Sequence, residues 1–300
     1  MSFDWLDWSN PVADWWSFLV AVSALNIVLL LGLHAGYRRN IFGARSAPFA
    51  LEPLLLLCTA YVLGCAFRSV LPRADVQRIC LFDTWLSSVL VGRSVATIAE
   101  LCFAVQWAIV LRELARITHS DTAKNISKTI VPLIVIAECC SWYAVVSTNF
   151  LCNVLENSLW TLGFLLIAIA LSRLYFSFRG IAQAAIGAMT AGVAAYVVFM
   201  STVDVPMYFA RWQNELADGT QFLGLFSGLH DLAVHWVVSH DIGQWRDEIP
   251  WMSLYFSVAV WTSLLLGGFG LVRHLLPRYR VRRPLVKASR RPVAIPIRSS

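Results

Sequence analysis

The chain has 300 residues, of which 58% are hydrophobic and 14% charged, with mean hydropathy +0.64 and a formal net charge of +6. Globular domains run nearer 45–50% apolar and about 25% charged, so this balance excludes a disordered chain and an ordinary cytosolic domain. It points to an all-α polytopic membrane bundle.

The N-terminus has no Lys or Arg before the first apolar run and carries Asp4, Asp7 and Asp14 instead. A cleavable signal needs a positive start and a short apolar core, so the first run is expected to stay as a spanning helix. A crossing helix needs about 20 apolar residues. Seven stretches qualify, roughly 16–36, 47–67, 94–111, 129–148, 158–176, 181–203 and 251–271. They are apolar all round, as lipid-embedded helices are.

Between the second and third stretches, Ile79, Phe82, Leu86 and Val89 recur at helical spacing opposite Asp83, Ser87 and Ser88. This pattern predicts a short amphipathic helix on the membrane surface. The alternative is an extension of the third span that takes Arg93 inside a long helix. Residues 221–238 are apolar too, but hold His230, Asp231 and His235 near their centre. They are expected to lie in the interface or re-enter. If they crossed, the spans would number eight.

Of the 24 Lys and Arg, 18 fall on the side that holds the tail and six on the other. Positive charge is retained in the cytoplasm, so the N-terminus is expected outside and the C-terminus inside. The four arginines in the second connection count against this assignment. The sequon Asn125-Ile-Ser127 lies on the expected inner side. Trp5, Trp8, Trp15, Trp16, Trp85, Trp160, Trp245 and Trp251 flank the spans, as interfacial anchors do. The expected location is a plasma or cytoplasmic membrane. Residues 1–276 then form one helical domain, with outer interfacial segments near 74–92 and 204–250.

Three carboxylates fall within the predicted spans. Glu52 stands near a water-accessible end, while Glu100 and Glu138 lie deep on consecutive antiparallel helices at overlapping depths. Carboxylates are costly inside a bilayer and normally face a bundle interior or cavity. Glu100 and Glu138 are therefore candidates for proton or ion binding, with Gln106 and Ser141 as polar neighbours. Their bland reading is interhelical packing.

A second constellation, His230, Asp231, His235 and His240, carries zinc- or iron-type ligands. On a helix, steps of five residues turn each His about 140° from the last, and neither HExxH nor ExxH occurs, so surface histidines are the bland reading. Cys80 and Cys152 fall in connections on the same side and are candidates for a disulfide. No spanning Lys is present for a retinal Schiff base, and no Walker loop, GxGxxG or GxSxG occurs. These patterns name no particular cofactor.

The sixth and seventh spans carry small residues, including Ala185, Gly187, Gly192, Gly267 and Gly270. These suit close helix packing, a gate or a homo-oligomer face. The last 30 residues hold nine basic side chains and no acidic one. Residues 277–300 are expected to be a disordered polybasic tail. Its Arg278, Arg280, Arg282, Arg283, Lys287, Arg290 and Arg291 would contact anionic lipid, and a nucleic-acid partner is not expected. Function is expected to be transport, channel activity or membrane sensing through the intramembrane carboxylates. A membrane enzyme, a cofactor-binding subunit or a non-catalytic scaffold are the alternatives.

Overall fold

The computed structural model describes residues 10–39 and 53–272. Trp5, Trp8, Glu52, the first residues of the second predicted stretch and the basic tail side chains lie outside the described residues. Seven helices are long and apolar enough to cross a membrane. They are α1 (Pro11–Arg38), α2 (Pro53–Val70), α3 (Val89–Thr118), α4 (Asp121–Ser147), α5 (Phe150–Tyr175), the run Ile181–Ala217 and the run Glu248–Leu271. The run Ile181–Ala217 divides into α6 (Ile181–Phe199), a π-helical turn at Met200–Asp204 and α7 (Val205–Ala217). Between the long runs lie two short helices, α8 (Leu225–Val234) and α9 (Ile242–Trp245). The last run holds α10 (Glu248–Leu254), a second π turn at Tyr255–Ala259 and α11 (Val260–Val272).

α3, α4 and α5 begin earlier than apolarity alone predicts, as α1 does after its cap Asn10, and a polar cap explains each. The side chains of Ser88, Ser120 and Asn149 accept from Val91 N, Ala123 N and Leu151 N. Each satisfies a backbone donor that the first helical turn leaves orphaned. The cap at Ser88 draws Arg93 into α3, and the cap at Asn149 draws Glu156 into α5. His119 closes α3 in the left-handed conformation, φ 55°, and Ser120 caps α4 immediately. The stretch 112–128 between the third and fourth predicted spans is thus a helical hairpin.

All connections at the end of the bundle that holds Pro11 fold into one cap. A small sheet pairs β1 (Arg73–Ala74) antiparallel with β2 (Ile79–Cys80), and β2 parallel with β3 (Val237–Val238). The expected surface helix at 79–90 is therefore absent. Its residues Cys80, Leu81 and Phe82 are buried in the cap, and a single 3₁₀ turn at Trp85–Ser87 leads into α3. The segment 221–238 does not cross the bundle. Its helix α8 has only 10 residues, far short of a span. It packs on α3 and α4 and turns Leu225, Phe226, Leu229 and Val234 outward, Phe226 being 87% exposed.

Two expected interfacial anchors are core residues instead. Trp15 and Trp245 are buried with ring centroids 5.4 Å apart, while Trp85 is exposed. The glycines of α11 allow close approach. A Cβ at Gly267 would lie 2.9 Å from Cys58 Sγ, and one at Gly270 would strike the Tyr37 hydroxyl. The small residues of α6 behave differently. A Cβ on Gly192 would meet nothing within 4 Å. α6 packs along α5 and shares no comparable seam with α11.

Candidate functional site

Where α2, α3, α4 and α5 meet below the cap, Arg93 is the hub of a buried ion-pair network. Its Nη2 donates to Glu100 Oε2 at 2.9 Å and Glu138 Oε2 at 2.8 Å, and stands 3.5 Å from Glu156 Oε1. Seven residues separate Arg93 from Glu100, two helical turns that place both on one face of α3. Glu138 comes from α4 and Glu156 from α5. Oxygens of the three glutamates lie within 4.8 Å of one another.

Supporting donors fix each carboxylate. Thr97 Oγ1 donates to Glu138 at 2.6 Å and is itself held by Trp142 Nε1. Tyr255 Oη donates to Glu100 Oε1 at 2.9 Å, and Asn153 Nδ2 to Glu156 at 3.0 Å. Arg68 of α2 stands 4.0 Å from Glu100 and 3.8 Å from Asp75. Glu138 Oε1, Arg93 Nε and Asn153 Oδ1 are buried with no hydrogen-bond partner.

The cap continues the network. Arg73 Nε donates to Asp75 at 2.7 Å, and its Nη1 reaches the Ser88 carbonyl. Gly92 makes room for this, since any Cβ there would run into the Arg73 guanidinium. Burial pulls Arg73 down to about 10. Burial alone would raise Asp75, but Arg73, Arg68 and Arg93 hold its carboxyl below the ordinary value. Arg68, Arg73 and Arg93 therefore face Asp75, Glu100, Glu138 and Glu156, three guanidiniums against four carboxylates.

A cavity of about 890 Å³ opens from this network. Arg68, Arg93, Glu100, Glu156, Asp204 and Glu248 line its polar end, and Phe103, Trp107, Phe164, Ile186, Met189 and Phe269 its apolar length. From Glu100 to Leu114 along α3 it extends about 20 Å, two thirds of the hydrocarbon core. Its two sides are α6 and α11, which do not close on each other. Cavity-lining Val258 and Leu265 of the last run stay exposed, so the cavity is open on the side between α6 and α11. Both π turns border it, one bringing Asp204 and the other Tyr255. π turns recur at functional sites because the extra residue re-aims side chains.

Glu100 and Glu138 meet at Arg93, and Ser141 lines the cavity with Glu100. Gln106 does not join. It is buried, its Nε2 donates to the carbonyls of Leu54 and Ser263, and its Oε1 accepts from Ser263 Oγ. It ties α2, α3 and α11 together.

The histidine constellation does not converge. His230 is exposed. His235 Nδ1 pairs with Asp231 at 2.9 Å, Asp231 accepts from Arg78 at 2.8 Å, and His240 turns to the Leu81 carbonyl. The strand β3 separates His240 from the other two. Among the described residues, the group with metal-ligand spacing is Glu100, Glu138 and Glu156, and Arg93 already occupies its middle.

Cys80 and Cys152 are both free, so the expected disulfide is not formed. Cys80 lies within the sheet with its thiol directed at the Phe82 carbonyl, and burial pushes that thiol up to about 11. Cys152 stands in the first turn of α5.

Arg93, Glu156, Asp204 and Arg68 escape a reading based on apolar runs, because each sits within a turn or two of a helix end. The caps Ser88 and Asn149 are the signals that place the first two inside helices. Compared with protein families, curated proteins and solved structures, the chain matches none.

Proposed function

We propose that this multi-pass membrane protein is a transporter or membrane sensor that captures an amphipathic molecule from the bilayer. One observation carries the reading: a single cavity of ligand size joins an apolar shaft to a buried polar head site and opens sideways between α6 and α11. A molecule dissolved in lipid could slide in, leaving its tail along Phe103, Trp107 and Phe164 and its head at the Arg93 network. In this low-dielectric pocket, polar groups on a ligand interact far more strongly than in water. We place the cap outside the cell and the basic tail inside against anionic lipid, from the distribution of Lys and Arg.

Gly192→Trp tests the reading. Gly192 lines the cavity and has open space at its Cβ, so an indole would fill the shaft without displacing a neighbouring helix. Native mass spectrometry of gently extracted wild-type protein should show bound amphipathic molecules, and Gly192→Trp should lose them. Ile181→Trp, at an exposed position of α6, should keep them. Identical adducts on all three proteins would remove the cavity from the function.

A further inference from the structure

Asp204 is the carboxylate that the network leaves over. It ends the π turn of the sixth run, is only 5% exposed and lines the cavity. Its side chain makes no hydrogen bond or ion pair among the described residues. The other buried carboxylates at this end of the bundle all have donors. Arg93 serves Glu100 and Glu138, Asn153 serves Glu156, and Arg73 serves Asp75. Glu248 accepts from Gln77, Arg211 and Trp251 at 2.7–2.9 Å.

A buried carboxylate without a partner is costly, and it persists where a ligand supplies the missing donor. The local charge fixes the sign of that donor. The polar end of the cavity is lined by Asp75, Glu100, Glu156, Asp204 and Glu248 against Arg68, Arg73 and Arg93, with Arg211 paired to Glu248, so a donor head fits there better than a further anion. A neutral head would bring donors without the charge that keeps a buried carboxyl ionised. A protonated amine brings both the charge and the N–H donors. Tyr208, one turn further on, borders the same space, with the Arg211 guanidinium 5.5 Å from its ring centroid.

We propose that Asp204, with Glu156 on the facing helix α5, binds the protonated amine of a long-chain amine whose tail fills the shaft. This assignment rests on the cavity reading above and goes beyond it by naming the head group. Arg93 then has a positioning role, holding Glu156 and Glu100 at the polar end.

The test uses the full chain in lipid nanodiscs and three photoreactive probes. They share one alkyl chain with a diazirine near its end and carry an amine, an alcohol or a carboxylate head. Crosslinked peptides are mapped by mass spectrometry. The amine should label cavity-wall peptides of α3, α5 and α6 more strongly than the alcohol, and the carboxylate least. Asp204→Asn should lower amine labelling about tenfold, the loss of one charge-assisted contact, and leave alcohol labelling unchanged. Asp204→Glu should retain part of the amine preference. Because Asp204→Asn replaces a buried carboxyl that has no hydrogen-bond partner with a neutral group of the same shape, it should melt no lower than the wild type. If Asp204→Asn keeps the amine-to-alcohol ratio while Gly192→Trp abolishes wall labelling by both, the amine assignment is wrong and the cavity reading stands. If Gly192→Trp leaves wall labelling intact, the cavity reading fails and the amine assignment fails with it.

Discussion

Arg93 shows how one side chain organises several helices. Its guanidinium touches carboxylates from α3, α4 and α5, so removing it would strand three buried carboxyl groups at once. Breaking a buried pair from one side typically costs about 3–5 kcal/mol. Arg93→Leu should therefore lower the unfolding temperature sharply in detergent. Adding Glu100→Gln and Glu138→Gln should recover part of the loss by removing the stranded carboxyls. An unchanged melting curve for Arg93→Leu would show the network to be structurally idle. The meeting of Glu100 and Glu138 was readable from two acidic residues at matching depth on antiparallel spans. Their partner was not, because a count of charges by connection assigns Arg93 to a loop. Gln106 misled for a related reason: a polar residue at membrane depth suits a site and a helix clamp equally, and only its contacts to Leu54 and Ser263 decide.

Helix ends were the least legible elements. Apolar windows find helix centres because lipid selects for apolar side chains there, and they are blind to polar first turns held by Ser88, Ser120 and Asn149. The π turns left no sequence signal that we recognise. In the second, Asn26 of α1 donates to the Phe256 carbonyl at 2.8 Å, and Trp261 donates back to Asn26, so the altered backbone is satisfied across the bundle. The cap was misread as a surface helix because Ile79, Phe82, Leu86 and Val89 fit helical spacing. Strand pairing with Val237–Val238, more than 150 residues away, overrides that local pattern. The seating of α8 depends on one glycine. A Cβ on Gly228 would collide with the Val146 carbonyl. Gly228→Ala should lift α8 off α4, and limited proteolysis within 218–224 should then run faster than in the wild type. Equal rates would mean that the cap tolerates the displacement.

For the whole molecule, hydropathy gave the class and the count of seven spans correctly, since both follow from the bilayer's thickness. The proposed orientation follows from the count of Lys and Arg. Arg68, Arg73, Arg78 and Arg93 are all buried and paired, with Asp75, Asp231 or the glutamates. They are internal ion pairs and carry no free loop charge. The topology is checked by impermeant maleimide labelling of intact cells. Asp218→Cys, at the cap end, should react, and Lys124→Cys, at the opposite end, should react only after permeabilisation. The reverse pattern would invert the assignment. The lateral gap between α6 and α11 has one more consequence. A binding site fed from the side has the membrane as its reservoir, so its occupancy follows the ligand's mole fraction in lipid and not its aqueous concentration. Adding empty vesicles would dilute such a ligand away from the protein even at constant total amount. The composition of the surrounding bilayer would then act as a dial on how full the protein is.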